Sequence, residues 1–489
     1  MRRSPEYGRT LLGSSLNERS FKSCKVTLPR TSGKRQNRDL GDDMNDIQKS
    51  GSALATPQSR DIYHSDLEAS RRVKRIISAG AFGTIVEYFD FSVYAFLATT
   101  ISDVFFSYNN SSAALLYTLG VFGAAFVLRP VGGILIGHVG DRYGRKPALT
   151  FSVAGMAFAS TLIGLLPSYA AIGIGAPVLL LLLRCVQGLS AGGELGSAAS
   201  YVVEASPGRK RGAFTSMMNM GALIGTMCGA LIVAVLRGVM PTGAFQDWGW
   251  RIPFLVSLPL GVITLILRWR MEESQEFGRI EATGTAVRVP ALEALKSNPR
   301  GVLGVCGSSL VTLISFYITF AYLPTYFQRQ RIMPGTAAAW STTATLFLAA
   351  LAIPLWGRLS DKVGRKPLLI AGCITHLLAA YPAFVVMSHS TSAAIAAQIL
   401  LGQLEALYMG VFISAYCEQF STRVRVSGFN LGYNTAAVLA GTGPYLATWL
   451  IASTGQPLAP VWILLVAAAI SLVATLTLRE TANRPLTRT

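Results

Sequence analysis

The sequence predicts an all-α membrane protein of twelve transmembrane helices arranged as two six-helix halves. Three observations carry that reading. The chain of 489 residues is 51% hydrophobic and only 14% charged, whereas roughly 25% of residues are charged in a soluble domain. Its apolar runs are continuous, rich in Leu, Ala, Val and Gly, and near the ~20 residues that cross a ~30 Å hydrocarbon core as helix; a barrel would show ~10-residue alternating strands instead. Finally, Gly137-His-Val-Gly-Asp141-Arg142-Tyr-Gly144-Arg145-Lys146-Pro147 returns as Gly357-Arg-Leu-Ser-Asp361-Lys362-Val-Gly364-Arg365-Lys366-Pro367, offset by 220 residues. Each copy is a short charged loop between two apolar runs, and a duplicated bundle of this kind points to alternating-access transport at a site between the repeats.

In chain order, residues 1–70 are rich in Ser, Arg, Lys, Asp and Asn. Such a composition buries too little apolar surface to offset ordering entropy, so a disordered cytoplasmic extension is expected. The spans are read at 76–99, 114–138, 148–167, 176–202, 213–236 and 251–269 in the first half, 71–270. A long central loop, 271–300, leads to spans at 301–326, 337–358, 367–387, 392–417, 427–450 and 458–478 in the second half, 301–480. A short tail, 481–489, closes the chain. Lys and Arg crowd alternate loops, with Arg329 and Arg331 the main exceptions. By the positive-inside rule both termini are cytoplasmic, in a multi-pass protein of the cell inner (plasma) membrane.

A second, weaker echo joins Glu204 and Arg211-Gly212 after span four to Glu418, Arg425 and Gly428 after span ten, at offsets of 214 and 216 residues. The net charge of +18 resides in these loops rather than in a continuous basic footprint, so no nucleic-acid partner is expected. Six scattered cysteines and four isolated histidines (His64, His138, His376 and His389) offer neither a disulfide framework nor metal-ligand spacing. No soluble catalytic or sensory module is visible, which argues against an enzyme or a receptor.

The two Gly-x-x-x-Asp-Arg/Lys-x-Gly-Arg-Lys loops resemble the signature of the major facilitator superfamily. Three further strings are similar to its metabolite:proton symporter branch, which includes proline/betaine, citrate, shikimate and 2-oxoglutarate carriers. They are Val86-Glu87-Tyr88-Phe89-Asp90-Phe91 in span one, Gln187-Gly188-Leu189-Ser190-Ala191-Gly192-Gly193-Glu194 in span four, and Gly249-Trp250-Arg251-Ile252-Pro253-Phe254 opening span six. The resemblance runs from about Ile76 to Leu478 and implies a two-lobed symporter. Osmosensing members carry a C-terminal coiled coil; only about ten residues follow Leu478 here and they show no heptads.

An ionisable residue at a helix centre costs at least ~2.5 kcal/mol unless it faces a cavity or a partner. Glu87 and Asp90 share one face of span one with Gly83 and Tyr94, while Arg184, Gln187, Ala191 and Glu194 form a stripe on span four. The two stripes are candidate partners across the bundle. Glu87, Asp90, Glu194 and Glu405 (span ten) are the candidate proton-coupling acids. Arg184, Gln187, Tyr94, Asn219, Tyr317, Tyr322 and Asn434 are the candidate substrate contacts, and span seven carries an aromatic stretch interrupted at Pro324. The alternative for Asn219 and Asn434 is a hydrogen bond to a neighbouring helix. Arg129, before Pro130-Val-Gly132-Gly133, is read as structural or gating, and Gly221, Gly225, Gly441 and Gly443 as packing or bending sites.

In the duplicated loops Asp141 and Asp361 can each face a helix N-terminus, with Arg145 and Arg365 engaging acids across the interface between halves and Arg142 beside them. The resemblance implies that this contact latches the cytoplasmic side. The resulting expectation is a proton-coupled symporter importing a small carboxylate-bearing metabolite, either an organic acid or a zwitterionic osmolyte such as proline or betaine. An exporter of drugs or sugars is the alternative. Partners are the substrate and the lipid bilayer, the functional unit is monomeric, and no cofactor or metal is expected beyond the proton as coupling ion.

Overall fold

The computed structural model describes residues 81–106, 111–143, 145–269 and 290–486. The N-terminal extension 1–70, most of the central loop and the side chains of Asp141, Arg142 and Arg145 lie outside the described residues. Within the described residues eleven helices are long and apolar enough to cross a membrane, and a bent pair, Ala81–Phe96 with Ala98–Phe105, makes a twelfth. That pair turns by 61° at Leu97, where neither Pro nor Gly marks a bend in the sequence.

The other spans are Ala113–Ile136, Lys146–Leu165, Gly175–Ala205, Gly208–Val239 and Arg251–Trp269 in the first half. The second half has Pro299–Arg329, Gly335–Val363, Arg365–Met387, Thr391–Cys417, Arg425–Thr454 and Ala459–Thr477. Most agree with the hydropathy reading to within a few residues; the charged-loop ends run further, so that span eight reaches Val363 rather than 358. The reason is that polar residues at a helix end continue the backbone ladder outside the hydrocarbon, where hydropathy is blind. The region read as a central loop also holds a helix, Pro290–Ser297.

Side chains such as Phe151, Leu135, Leu355 and Leu378 are exposed on the outside of the bundle, while the interior combines a large apolar core with buried Ser, Thr, Asn, Arg and Glu, the charged ones being tolerated in lipid only when turned inward. Close helix approach rests on glycine. A Cβ on Gly188 of span four would sit 1.8 Å from the Ala125 carbonyl oxygen of span two, and one on Gly225 of span five 2.1 Å from that of Ile85 in span one.

The duplicated loop has a structural purpose in the second half. Gly364, alone between spans eight and nine, adopts φ +117, a conformation L side chains rarely take. The duplicated lysines act alike: Lys146 donates to the Trp269 carbonyl at 2.6 Å and Lys366 to the Leu476 carbonyl at 2.6 Å. Each thereby caps the C-terminal end of the last or nearly last turn of its half's final span. The Gly249–Phe254 string is likewise structural. Trp250 is fully buried against Phe105 and Phe254, and Arg251 donates to the carbonyls of Gly164 and Leu166 at the end of span three.

Candidate functional site

Between the halves lies a small cavity lined by Tyr88, Phe91, Ser92, Ala95 and Phe96 of span one, Phe122 and Arg129 of span two, Thr226 of span five, and Phe316, Tyr317, Phe320 and Ala321 of span seven. Span seven can present four residues at this wall because Tyr317–Tyr322 is a π-helical turn. Pro324 just beyond it lacks an N–H and so releases a carbonyl upstream. The irregularity therefore precedes the proline rather than falling on it. The open space is about 20 Å³, enough for one water, so the bundle is contracted around its centre.

Arg129 is the guanidinium in this wall. It donates to Glu87 Oε1 at 2.8 Å, with both side chains about 4% exposed or less, and lies over the Phe91 and Phe126 rings at 4.7 and 5.0 Å. Among the described residues its Nε and the second oxygen of Glu87 have no hydrogen-bond partner. Asp90, one turn along, accepts from Ser257 Oγ through Oδ1, with the Ser160 hydroxyl also beside its carboxylate. Glu194 pairs with Arg268 of span six and accepts from Ser152 at 3.1 Å. Both groups of that pair press against Gly83, where a Cβ would clash. Among the described residues Arg184 makes no ion pair: it donates to Gln187 at 2.7 Å, Gln187 donates to Ser160 at 2.6 Å, and the guanidinium is caged by Tyr94, Phe91 and Phe122 at 4.2 to 5.2 Å.

Among the described residues of the second half, Glu405 is the most deeply buried acid. Glu405 accepts from Thr312 at 2.5 Å, and its other oxygen is 4.0 Å from His376 Nε2. His376 also bonds the Gly372 carbonyl through Nδ1 and Ser315 through Nε2, and all four side chains are buried.

At the end of the bundle that carries the charged loops, the halves are clamped together. The Asp361 carboxylate accepts from the backbone N–H groups of Gly212 and Ala213 at 2.9 Å each, at the start of the helix Arg211–Val239, where the dipole favours an anion. Arg425 reaches across to Glu204 at 2.6 Å, and Arg211 reaches back toward Glu418 at 3.7 Å. Asn219 donates to the Met409 carbonyl at the break in span ten, and Asn434 to the Gly192 carbonyl at the break in span four, at 2.5 and 2.6 Å. The two asparagines thus make the same contact in opposite directions. At the other end a hollow of about 140 Å³ is lined by Leu115, Tyr322, Thr325, Tyr326, Arg329 and Thr448 among others.

The proline/betaine transporter of Salmonella typhimurium is 35% identical over 425 residues, 85% of each chain. The chain belongs to the major facilitator superfamily. The Sugar (and other) transporter family matches residues 76–289, and the Major Facilitator Superfamily matches 305–488. Two further relatives are the glycine betaine/proline/ectoine/pipecolic acid transporter OusA of Dickeya dadantii, 34% identical over 85% of each chain, and the ectoine/proline transporter of Corynebacterium glutamicum, 33% identical over 85% of this chain and 86% of that one. Among solved structures, the proton:xylose symporter XylE bound to 6-bromo-6-deoxy-D-glucose superposes with a TM-score of 0.70 over 85% of this chain and 98% of that chain, at 17% identity. That likeness speaks for the fold.

Within this major facilitator fold several site expectations change. Tyr317 lines the central cavity, whereas Arg184 lies behind the Phe91 and Phe122 rings with Gln187 bonded to it, and Tyr94 stacks on Phe122 with its hydroxyl spent on the Thr118 carbonyl at 3.0 Å. Tyr322 faces the outer hollow instead. The span-one and span-four stripes meet through Tyr94 against the Arg184 guanidinium and Gly83 against Glu194, but the ion pairs of their acids go elsewhere: Glu87 takes Arg129, and Glu194 takes Arg268. Span four breaks at Gly192 and Gly193, so Glu194 opens a new helix and leaves the register of Arg184. Arg129, expected to be structural or gating, stands in the cavity wall. Arg268, near the end of span six, is buried within the bundle, and His376 is not isolated but grouped with Glu405. Arg365 bonds Asp361, Ser360 and Glu418 within its own half. Besides Asp361, the charges that cross are those of the weaker echo, Glu204, Arg211, Glu418 and Arg425, whose equal spacing in both halves was the available signal.

Proposed function

We propose that this chain imports a small zwitterionic metabolite of the proline or betaine kind across the inner membrane, driven by the proton gradient, with the charged-loop end and both termini on the cytoplasmic side. The observation that carries the reading is the Glu87–Arg129 pair in the wall of an otherwise aromatic cavity. A substrate carboxylate entering this cavity finds one guanidinium, and that guanidinium is already held by Glu87. The two carboxylates compete for it. Protonating Glu87 releases Arg129 to the substrate, and conversely a bound substrate strips Glu87 of its counter-charge. An uncompensated carboxylate out of water costs several kcal/mol, so the proton and the substrate bind as a linked pair.

Asp90 supports a different task. It is held by the hydroxyls of Ser257 and Ser160, and it can carry or lose a proton without breaking an ion pair. Glu194 is engaged by Arg268 and Ser152 away from the cavity, which suits a permanent tie between spans four and six. Glu405 and His376 sit behind span seven, with no side chain in the cavity wall.

A zwitterion fits better than a di- or tricarboxylate. A second carboxylate would lie against ring faces, whose quadrupole is negative, with no second free guanidinium in the wall. The positive-inside distribution of Lys and Arg supports the orientation, and the clamp around Asp361 is then a cytoplasmic gate, closed here. Uptake of labelled proline, glycine betaine and citrate into proteoliposomes under an imposed inward proton gradient tests the reading. Accumulation of the zwitterions and not of citrate is expected; accumulation of citrate alone would overturn it.

A further inference from the structure

We propose that Glu405, Ser315 and His376 form a second proton-binding site, separate from the Glu87–Arg129 pair, and that its proton docks span seven against spans nine and ten. The site does not depend on which metabolite is carried.

Hydrogen counting carries the inference. His376 Nδ1 lies 2.7 Å from the Gly372 carbonyl oxygen, which can only accept, so Nδ1 holds a hydrogen and the neutral ring presents a lone pair at Nε2. Glu405 takes the Thr312 hydroxyl through Oε1, while its Oε2 has no hydrogen-bond partner among the described residues. Ser315 Oγ is 3.0 Å from Nε2 and stands beside the Glu405 carboxylate. Two acceptors therefore face one hydroxyl hydrogen. With Glu405 ionised and His376 neutral, one of the two is left unsatisfied among fully buried side chains, an arrangement that folded proteins avoid. One added proton completes the set. Placed on Oε2, it is donated to Ser315 Oγ, and Ser315 turns its own hydrogen to Nε2. Placed on Nε2, it is donated to Ser315 Oγ, and Ser315 turns its hydrogen to Oε2. The two arrangements contain the same atoms and differ by the shift of two hydrogens through the serine.

The surroundings supply no charge to take the place of that proton. Among the described residues the other titratable groups packed around the triad are Cys373 of span nine and Tyr408 and Tyr416 on the span-ten side, all uncharged near pH 7. Tyr408 gives its hydrogen to the Ser308 carbonyl at 2.6 Å. Glu405 is the one charged residue within span ten, span twelve carries none, and those of spans seven, eight and nine stand toward their ends.

What the proton holds is the back of the cavity wall. Thr312 and Ser315 belong to span seven, and Phe316, Tyr317 and Phe320 just after them line the central cavity. Span ten grips the same stretch further along, where Gln398 donates to the Thr319 carbonyl within the π-helical turn at 3.2 Å. Removing the proton sets acceptors on spans nine and ten in competition for one hydroxyl of span seven, so the wall loosens although no atom of the triad lines the cavity. The pH then acts on how readily the bundle changes state, apart from the competition at Arg129.

The unaltered protein in lipid, labelled with nitrogen-15 histidine, gives the first reading by magnetic resonance. Among the described histidines His376 is the buried one, so its signal is the one that a water-soluble relaxation agent spares. Its hydrogen should stay on Nδ1 at every pH, while Nε2 shifts as the site gives up its proton. An Nε2 signal that ignores pH overturns the proposal with no variant needed. In Glu405→Gln the amide mimics the loaded acid, because its carbonyl accepts from Thr312 and its NH2 group donates to Ser315. The thermal midpoint of this variant should match the parent at acidic pH and exceed it increasingly as the pH rises. A difference that is the same at every pH marks a fixed hydrogen-bond network and overturns the proton site. Labelled proline exchange in proteoliposomes, with equal pH on both sides, should slow less at alkaline pH in Glu405→Gln than in the parent; identical profiles contradict the docking of span seven. If the unaltered protein exchanges no proline, the transport reading fails instead, and the resonance and melting results decide the proton site.

Discussion

Replacing Glu87 with glutamine tests the competition between a substrate carboxylate and Glu87 for one guanidinium. The pair is 2.8 Å long and almost wholly buried, so removing one partner outright would cost about 3–5 kcal/mol. The amide oxygen can still accept from Arg129, which keeps the loss of stability well below that figure. What it cannot do is cycle between charged and neutral forms. In the parent protein, acid pH should tighten substrate binding, because protonated Glu87 yields Arg129. In Glu87→Gln the competitor is permanently neutral, so affinity should be independent of pH. At alkaline pH it should exceed that of the parent by about 5- to 150-fold, the range of a coupling free energy of ~1–3 kcal/mol. Calorimetric titration of glycine betaine at acidic and alkaline pH reads the affinity, and proteoliposomes read transport. Exchange should persist while uphill accumulation is lost. A variant that accumulates substrate as the parent does, or keeps the parent's pH dependence of binding, would refute the argument. Asp90→Asn is the comparison on the same helix: if it alone uncouples, the roles of the two acids are exchanged.

The cross-bundle charges invite a double-mutant cycle, in which Arg425→Ala and Glu204→Ala should each favour opening of the charged-loop end, and the pair together should do so less than additively by about 0.5–3 kcal/mol; spin-label distances across the gate measure the opening. Asn434→Ala removes one hydrogen bond to the Gly192 carbonyl, worth about 0.5–1.5 kcal/mol, and should shift the same equilibrium toward the open form by about two- to tenfold. For Glu480, burial alone would raise the carboxyl, yet N–H groups of Ala482, Arg365, Lys366 and Thr481 together hold it below the ordinary 4.5. Its stabilising contribution is then complete above that value and is lost as the pH falls through the lower folded-state value. Glu480→Gln should lower the thermal midpoint at neutral pH and erase that part of its acid dependence, whereas an unchanged midpoint at neutral pH would count against the cap.

Topology was legible because hydrocarbon thickness leaves a one-dimensional mark, and the duplicated loops located the clamp for the same reason: Asp361 meets a helix N-terminus as its position before a basic loop implied. Pairing was harder to read. Glu204 and Arg211 repeat as Glu418 and Arg425, but a duplicated acid–base pair can close within each half or between them, and only the packed bundle shows that it closes between them. Arg268 sits near the end of an apolar run, where a long side chain usually snorkels to the interface; its inward turn depends on Glu194 waiting beside Gly83. Arg184 was recognisable as deep and costly, yet its seclusion comes from rings on spans one and two, which no pattern on span four encodes. The place of Arg129 in the cavity wall is unreadable for a related reason, since its face is set by where Phe91 and Phe126 support it.

The most direct measurement is the pH inside proteoliposomes that contain the purified protein and a trapped pH indicator, with no gradient imposed, when glycine betaine is added outside. Proton-linked import through the Glu87–Arg129 pair predicts that the lumen acidifies as labelled betaine enters, and that Glu87→Gln abolishes the acidification while betaine exchange continues. Betaine influx by the unaltered protein without any acidification would contradict it.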